Sequence, residues 1–357
     1  MPGAGAPAPI CSRSRLQPRS ALARARIRRV VVQNRSGTQP VTAIGPRPAG
    51  AEAGCLWCGT LLNAGASKAA TYRVLRCARC GAGTTVPFPT PDALEAAYAQ
   101  WYRPQVGRFA GGGDRLLRGL RGRTARWIDA ACPPGPILDV GCGDGAMLDA
   151  LHQRGRSAVG LERHSDRPDV RSSSLAECEE GWAGIILWHS LEHLPAPRQA
   201  FVEAAQRLAP GGFLVVAVPN FASLQAQIFG RRWLHLDLPR HLSHLTPECL
   251  RSAARGEGLE MVALSNLRGG QVVFGWLHGL VGMLPGHPDL YQAIRRRAAR
   301  EHPSSAGRWA TLGVAALLSP LALGAGGIEV LLNRAGTVCL VARRAAPSAG
   351  NADSLVP

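Results

Sequence analysis

A chain of 357 residues has room for one large α/β domain and a small appendage. The formal net charge of +17 would point to nucleic acid or an anionic membrane if it lay on a folded face. It does not: Arg13, Arg15, Arg19, Arg24, Arg26, Arg28, Arg29, Arg35 and Arg47 precede residue 50, where no Asp or Glu occurs, and Lys68 is the sole lysine. Net charge alone therefore does not mark a nucleic-acid binder.

Residues 1–52 are rich in Ala, Pro, Gly, Ser and Arg, lack an apolar period, and are expected to be disordered and dispensable for folding. The stretch resembles an organelle transit peptide, and a start codon assigned too far upstream would read the same way. A secretory signal is not expected, because Arg24, Arg26, Arg28 and Arg29 interrupt the run Ala21–Val32 where an apolar core should lie. Four of the ten cysteines form two CxxC pairs and the rest are scattered singly, which fits a reducing compartment. The expected location is the cytoplasm, with or without a peripheral contact at the inner membrane surface.

Residues 53–88 carry those pairs, Cys55-Leu-Trp-Cys58-Gly and Cys77-Ala-Arg-Cys80-Gly, at the spacing of a zinc ribbon. Each turn aims two thiolates at one ion, and four soft ligands leave no open position, so the site would be structural. The alternative is two independent redox or free-thiol pairs. Next, Pro89-Thr-Pro-Asp opens a helix, Gly111–Gly113 breaks it, and a basic helix runs from about Arg115 to Ala131.

The segment Pro136–Leu151 reads as an apolar strand, a tight turn with Gly141, Gly143 and Gly145, and a helix. Val159-Gly-Leu-Glu162 is a second strand ending in an acid, a feature an NAD-binding unit would share. Ala183-Gly-Ile-Ile-Leu-Trp-His-Ser-Leu-Glu-His-Leu-Pro and Arg207-Leu-Ala-Pro-Gly-Gly-Phe-Leu-Val-Val-Ala-Val-Pro-Asn220 follow as a strand with its exit loop and as a helix end, Gly turn and strand. In this order the segments resemble class I S-adenosylmethionine-dependent methyltransferases, Ile137–Gly145 being similar to their motif I. The resemblance implies a Rossmann-like α/β sheet of seven strands with helices on both faces, preceded by the ribbon. It also implies a cofactor held by Asp139, Gly141, Cys142, Gly143 and Gly145, by Glu162 at the ribose hydroxyls, and by His189 and Ser190 at the methionine end. The chain departs from the family at Trp182-Ala183, where Phe-Asp is usual, and in a short segment after Glu162 that lacks the usual acid near the adenine.

Phe229–Glu248 resembles a loop of the quinone-biosynthesis branch and is dense in His235, Asp237, Arg240, His241 and His244. Read as a lid spanning 221–250, it would cover the acceptor, with His241 or His193 taking its proton, since histidine titrates near neutrality. Equally, Pro239-Arg240-His241 pins the loop to the domain. Thr246 and Pro247 are the N-cap and first residue of a helix. The apolar stretches Val272–Leu284 and Trp309–Ile328 form a helical insertion over 271–333, lying on the domain or at a membrane surface; Pro320, several glycines and Glu329 argue against a span. Gly336–Arg343 reads as the last strand of a domain covering 89–345, and 346–357 as a disordered tail.

The expected activity is methyl transfer from S-adenosylmethionine to an oxygen or carbon of a small molecule, glycan or lipid-linked precursor. Two alternatives stand beside it: an RNA methyltransferase gripping RNA with the ribbon and basic arm, and a non-catalytic ribbon protein that has lost the cofactor. Against RNA stands the motif His-Ser-Leu-Glu-His in place of the Asn/Asp-Pro-Pro-Tyr of base-amino methylation.

Overall fold

A computed structural model describes residues 53–63, 72–99, 113–266, 271–295 and 305–346. The Arg-rich stretch through residue 52 and the tail beyond 346, both expected to be disordered, lie outside the described residues.

The main sheet has seven strands: β3 (Ile137–Val140), β4 (Ala158–Leu161), β5 (Val170–Arg171), β6 (Trp182–Trp188), β7 (Leu208–Pro219), β9 (Leu259–Ser265) and β10 (Thr337–Arg344). Their order is β5-β4-β3-β6-β7-β10-β9. The pairs from β5 to β7 are parallel, and β10 runs antiparallel to both β7 and β9. The central strands are apolar apart from Asp139 of β3, because helices cover both faces. Ile185 and Leu187 of β6 join Leu138 and Val216 beneath Phe201 and Leu250, whereas Ile186 joins Ile137 beneath Ile128, Leu148 and Leu151. Those covers come from α4 (Pro197–Arg207) and α6 (Pro247–Gly256) on one face, and α2 (Gly113–Ala131) and α3 (Ala146–His152) on the other. Thr246 caps α6, its hydroxyl accepting from the Cys249 N–H.

Two local readings are refined. No helix forms between β4 and β5, as the short segment after Glu162 suggests. The Pro210-Gly211-Gly212 turn does not precede its strand but bulges within β7: Trp182 pairs with Leu208 and Gly184 with Phe213. A Cβ on Gly212 would stand 2.7 Å from the Trp182 carbonyl oxygen, so only glycine lets the bulge close.

The ribbon hairpin, β1 (Arg73–Arg76) and β2 (Gly83–Val86), is not an independent appendage. It forms a second sheet, β1-β2-β8, whose third strand, β8 (Ser243–His244), belongs to the presumed lid. Trp57, 6% exposed, meets Phe201 of α4 edge-on at 6.2 Å, with the Arg198 guanidinium 5.7 Å over the Trp57 ring. Ribbon and sheet thus share one core.

The insertion comprises α7 (Val272–Gly282), α8 (Leu290–Ile294) and α9 (Ser305–Leu331). Glu329 of α9, fully buried, accepts from the Gln225 main-chain N–H at 3.0 Å, the Gln225 amide at 2.7 Å and the Trp276 indole at 2.9 Å. Gln225 lies on α5 (Leu224–Phe229) and Trp276 on α7, so one carboxylate ties three helices together. Burial still pushes its pKa upward.

Because Trp57 is wedged into the shared core, Trp57→Ala is expected to lower the unfolding free energy by about 3 kcal/mol. Urea titration followed by far-UV circular dichroism should show one transition at lower denaturant, not loss of the ribbon alone.

Candidate active site

The glycine turn lies at the carboxyl ends of the parallel strands, where open α/β sheets bind ligands. Gly141, Gly143 and Gly145 have φ of 76°, 60° and 74°, a region side chains avoid. A Cβ on Gly141 would come within 2.5 Å of Ser190 Cβ, and one on Gly145 within 2.6 Å of the Arg167 guanidinium. The turn therefore needs glycine both for its backbone and for close approach. Glu162, just past β4, accepts from the Gly143 N–H at 2.9 Å. Cys142 points inward against Gly160 and Leu148, so only its backbone faces the turn. Arg167, which sequence reasoning missed, bonds Asp149 at 2.7 Å and Asp169 at 2.8 Å and covers the turn on the side of the reduced segment. A chain with no helix there was the available signal.

Asp139 at the heart of β3 is 3% exposed, and burial raises its carboxyl to about 7, with Glu162 and Asp144 adding to the rise and Arg121 opposing it. His189 leaves β6 with φ 54° and its Nδ1 stands 3.4 Å from Glu192. Ser190 is buried, its hydroxyl without a hydrogen-bond partner, and the 1%-exposed Glu192 carboxylate faces His189 and His241 without a hydrogen bond to either oxygen.

The segment from Trp233 to Leu245 reaches this region as a buried strap rather than as a lid: Trp233, His235, Arg240, His241, Leu242, Ser243, His244 and Leu245 are all buried. One end is held by the ribbon. The Thr85 N–H donates to Leu242 O at 3.0 Å, and its hydroxyl donates to His241 O at 2.6 Å while accepting from His244 Nε2 at 3.1 Å. The other end inserts Trp233 among Phe229, Trp276 and Ala322. Arg240 pairs with Asp237 and lies 5.9 Å over Tyr98 of α1 (Pro91–Ala99).

His241 donates from Nδ1 to His235 O at 2.8 Å, which leaves Nε2 as its basic nitrogen, 3.6 Å from Asp237 and 4.0 Å from Glu192. His193 donates from Nδ1 to Arg240 O at 3.0 Å, and the two rings meet edge-on at 4.6 Å. The two sequence candidates for the base therefore stand together. Burial holds His241 well below its ordinary pKa, His244 at about 4 and His235 at about 3, so all three are neutral. Glu192, His193 and His241 each present a ligand atom within 4.8 Å of the others and could hold a cation.

A separate centre is formed by Cys55, Cys58, Cys77 and Cys80, whose sulfurs all lie within 4.8 Å. The Cys55–Cys80 and Cys58–Cys77 separations are both 3.6 Å. A tetrahedral ion with bonds of about 2.3 Å requires about 3.8 Å between sulfurs. Burial raises Cys55 to about 11; at Cys58 hydrogen bonds at Thr60 overcome burial and bring the thiol to about 7. Four thiol ligands at this spacing suit a single bound cation.

A methyltransferase-domain family model matches residues 114–264. The ubiquinone biosynthesis O-methyltransferase of Azoarcus sp. (strain BH72) is 28% identical over 167 residues, covering 40% of this chain and 72% of the relative. That of Saccharophagus degradans is 27% identical over 195 residues, covering 47% and 80%. The chain is an S-adenosylmethionine-dependent methyltransferase. Among solved structures, this methyltransferase is similar to a SAM-dependent methyltransferase from Archaeoglobus fulgidus, with TM-score 0.40, 16% identity and coverage of 63% and 94%.

Thr85→Val removes the hydroxyl between His241 O and His244 while keeping its shape. The expected cost is about 1–3 kcal/mol of stability, with affinity for S-adenosylhomocysteine unchanged within about twofold; denaturation and calorimetry read the two separately.

Asp139→Asn tests the buried carboxyl. Its folded pKa of about 7 lies above the ordinary 3.8, so its protonated form favours folding below pH 4 and that stability is lost as pH rises through 7. The ligand-free variant should gain on the wild type, by about 4 kcal/mol at pH 8 and almost nothing at pH 4, while cofactor binding weakens.

Proposed function

We propose that the methyltransferase transfers a methyl group to an oxygen or carbon of a small, hydroxyl-bearing molecule or of a glycan or lipid-linked precursor, with the acceptor under the Trp233–His244 strap. The observation that carries this reading is the meeting of the motif I turn, the His189–His193 loop and His241 at the carboxyl ends of the parallel strands. Bound S-adenosylmethionine supplies an electrophilic methyl on its sulfonium. Asp139, Gly141, Gly143 and Gly145 would form its bed together with the backbone of Cys142, Glu162 would meet the ribose, and His189 and Ser190 the methionine end. His241 Nε2 would accept the acceptor's proton, Glu192 or Asp237 stabilising the imidazolium, and His193 is the second choice for that base. The strap excludes water and sets the acceptor's orientation, which lowers the entropic part of the barrier. The relatives' printed names, as ubiquinone O-methyltransferases, support a hydroxyl acceptor. The four-cysteine centre would hold one structural zinc that fixes β2, and through Thr85 the strap. The reading places the protein in the cytoplasm, in peripheral contact with the inner membrane surface.

Metal analysis of the purified protein should give one zinc per chain, and Cys77→Ser should lose it along with thermal stability. A zinc content near zero under reducing conditions would remove the structural-metal reading.

Labelled methyl transfer to extracted lipids, soluble metabolites and RNA is expected to mark the lipid or small-molecule fraction, and His241→Ala to reduce it by about 100-fold or more. Label in RNA alone would overturn the acceptor class, and full activity of the variant would return His241 to a structural role.

A further inference from the structure

From Ala306 onward, every exposed position of α9 is apolar or is Gly or Pro: Trp309, Leu317, Leu321, Leu323, Ile328 and Leu331 stand between 57% and 86% exposed, with Ala, Gly and Pro320 between them. The helix is long and apolar enough to cross a bilayer, yet only 22% of its most apolar window is buried. A soluble surface rarely leaves so long an apolar stripe uncovered.

Both ends of α9 are tied to the domain. Near its start, Arg308 donates to Ala293 O of α8 at 2.9 Å; near its end, Glu329 holds Gln225 and Trp276, and β10 enters the sheet six residues after the helix stops. A helix of 27 residues, about 40 Å long, fastened at both ends lies along its domain and has no free end to send across a bilayer. Pro320 is accommodated without a break, Ser319 donating to Ala315 O beside it.

The sequence that leads into this stripe is basic. Between Arg295 and Arg308 the sequence carries five arginines and one acid, Glu301. Exposed Arg231 and Arg232 lie at the same end, Arg232 against Gly282 and His287 near exposed Met283. Trp309 begins the stripe there, the residue type that favours the headgroup level of a bilayer.

We infer that the outer face of α9 is a docking surface for an anionic lipid bilayer, the helix lying in the plane of the membrane with its apolar side in the acyl boundary and the arginine end at the headgroups. The surface is independent of the cofactor site and of the acceptor's identity. It extends the peripheral contact of the proposed function by naming the element that makes it and the lipid charge it selects.

The test is sedimentation of the full-length protein with vesicles of phosphatidylglycerol and phosphatidylethanolamine, against vesicles of phosphatidylcholine. Binding to the anionic vesicles, weakened by salt and released by alkaline carbonate, is expected. Leu317→Glu with Leu321→Glu should lower that partitioning by at least about tenfold. Both side chains are exposed, so thermal stability and S-adenosylhomocysteine affinity should match wild type and exclude misfolding as the cause. A milder pair, Leu317→Ser with Leu321→Ser, should fall between the two if the glutamates perturb the fold. Equal, negligible binding to both vesicle types, unchanged binding of a folded variant, or resistance to carbonate would each overturn the inference. So would a wild-type dimer in analytical ultracentrifugation that the variants dissociate without any vesicle binding, since a second copy would then cover the face. Methyl transfer is not read in this assay, so failure of the acceptor reading and failure of the docking surface are distinguishable.

Discussion

The hydrogen bonds of Thr85 are the hinge on which the site depends. One fully buried side chain accepts a hydrogen bond from His244 and donates one to the carbonyl oxygen of His241, while its main-chain N–H donates to Leu242 O. In a dry environment such bonds are costly to leave unmade, so the strap has one favourable position. Anything that shifts β2 shifts His241 with it. The hairpin that carries Thr85 also bears Cys77 and Cys80, which lie in its turn beside Cys55 and Cys58.

The opposite end of the strap is fixed by a different force. Trp233 contributes no hydrogen bond from its indole but is 3% exposed among Phe229, Trp276 and Ala322. The helical insertion that supplies this pocket is itself secured through Glu329. Ribbon and insertion thus grip one strap from two sides, one through directional polar contacts and the other through apolar burial. Between the grips lie neutral imidazoles and the carboxylate of Glu192, which accepts no hydrogen bond. Unsatisfied polar groups of this kind are destabilising, and their gathering beside the motif I turn is the mark of a site shaped for binding at the expense of packing.

Several features were legible from residue order because their causes are local. Three glycines within five residues require a turn that only glycine can make, and the structure gives each a positive φ. The continuous apolar runs of β6 and, from Phe213 onward, of β7 dictate strands covered on both faces. Thr246-Pro247 begins a helix for reasons contained in those two residues. The paired cysteines converge because each CxxC turn already aims its thiols in one direction. The bulge in β7 was not legible as such: Pro210-Gly211-Gly212 reads as a turn, and only the pairing of Trp182 with Leu208 places it inside the strand.

What the sequence by itself determined is the identity of the parts: the seven-stranded methyltransferase sheet, the motif I turn with Glu162 beside it, the four-cysteine ribbon and a histidine-rich loop. The apolar strands, the glycine turn and the paired cysteines follow from short-range rules of propensity, turn chemistry and apolar period; the seven-stranded methyltransferase sheet and the part of Glu162 are what the resemblance of those segments, taken in order, implies. Only the tertiary structure decided how those parts act on one another. Thr85 and His241 are separated by 156 positions, and nothing in either neighbourhood encodes the other. The loop that reads as a polar lid became a buried strap because β2 offered it an open strand edge and the insertion offered Trp233 a pocket. Local composition reports which side chains a segment carries, whereas burial depends on what the rest of the chain brings against it.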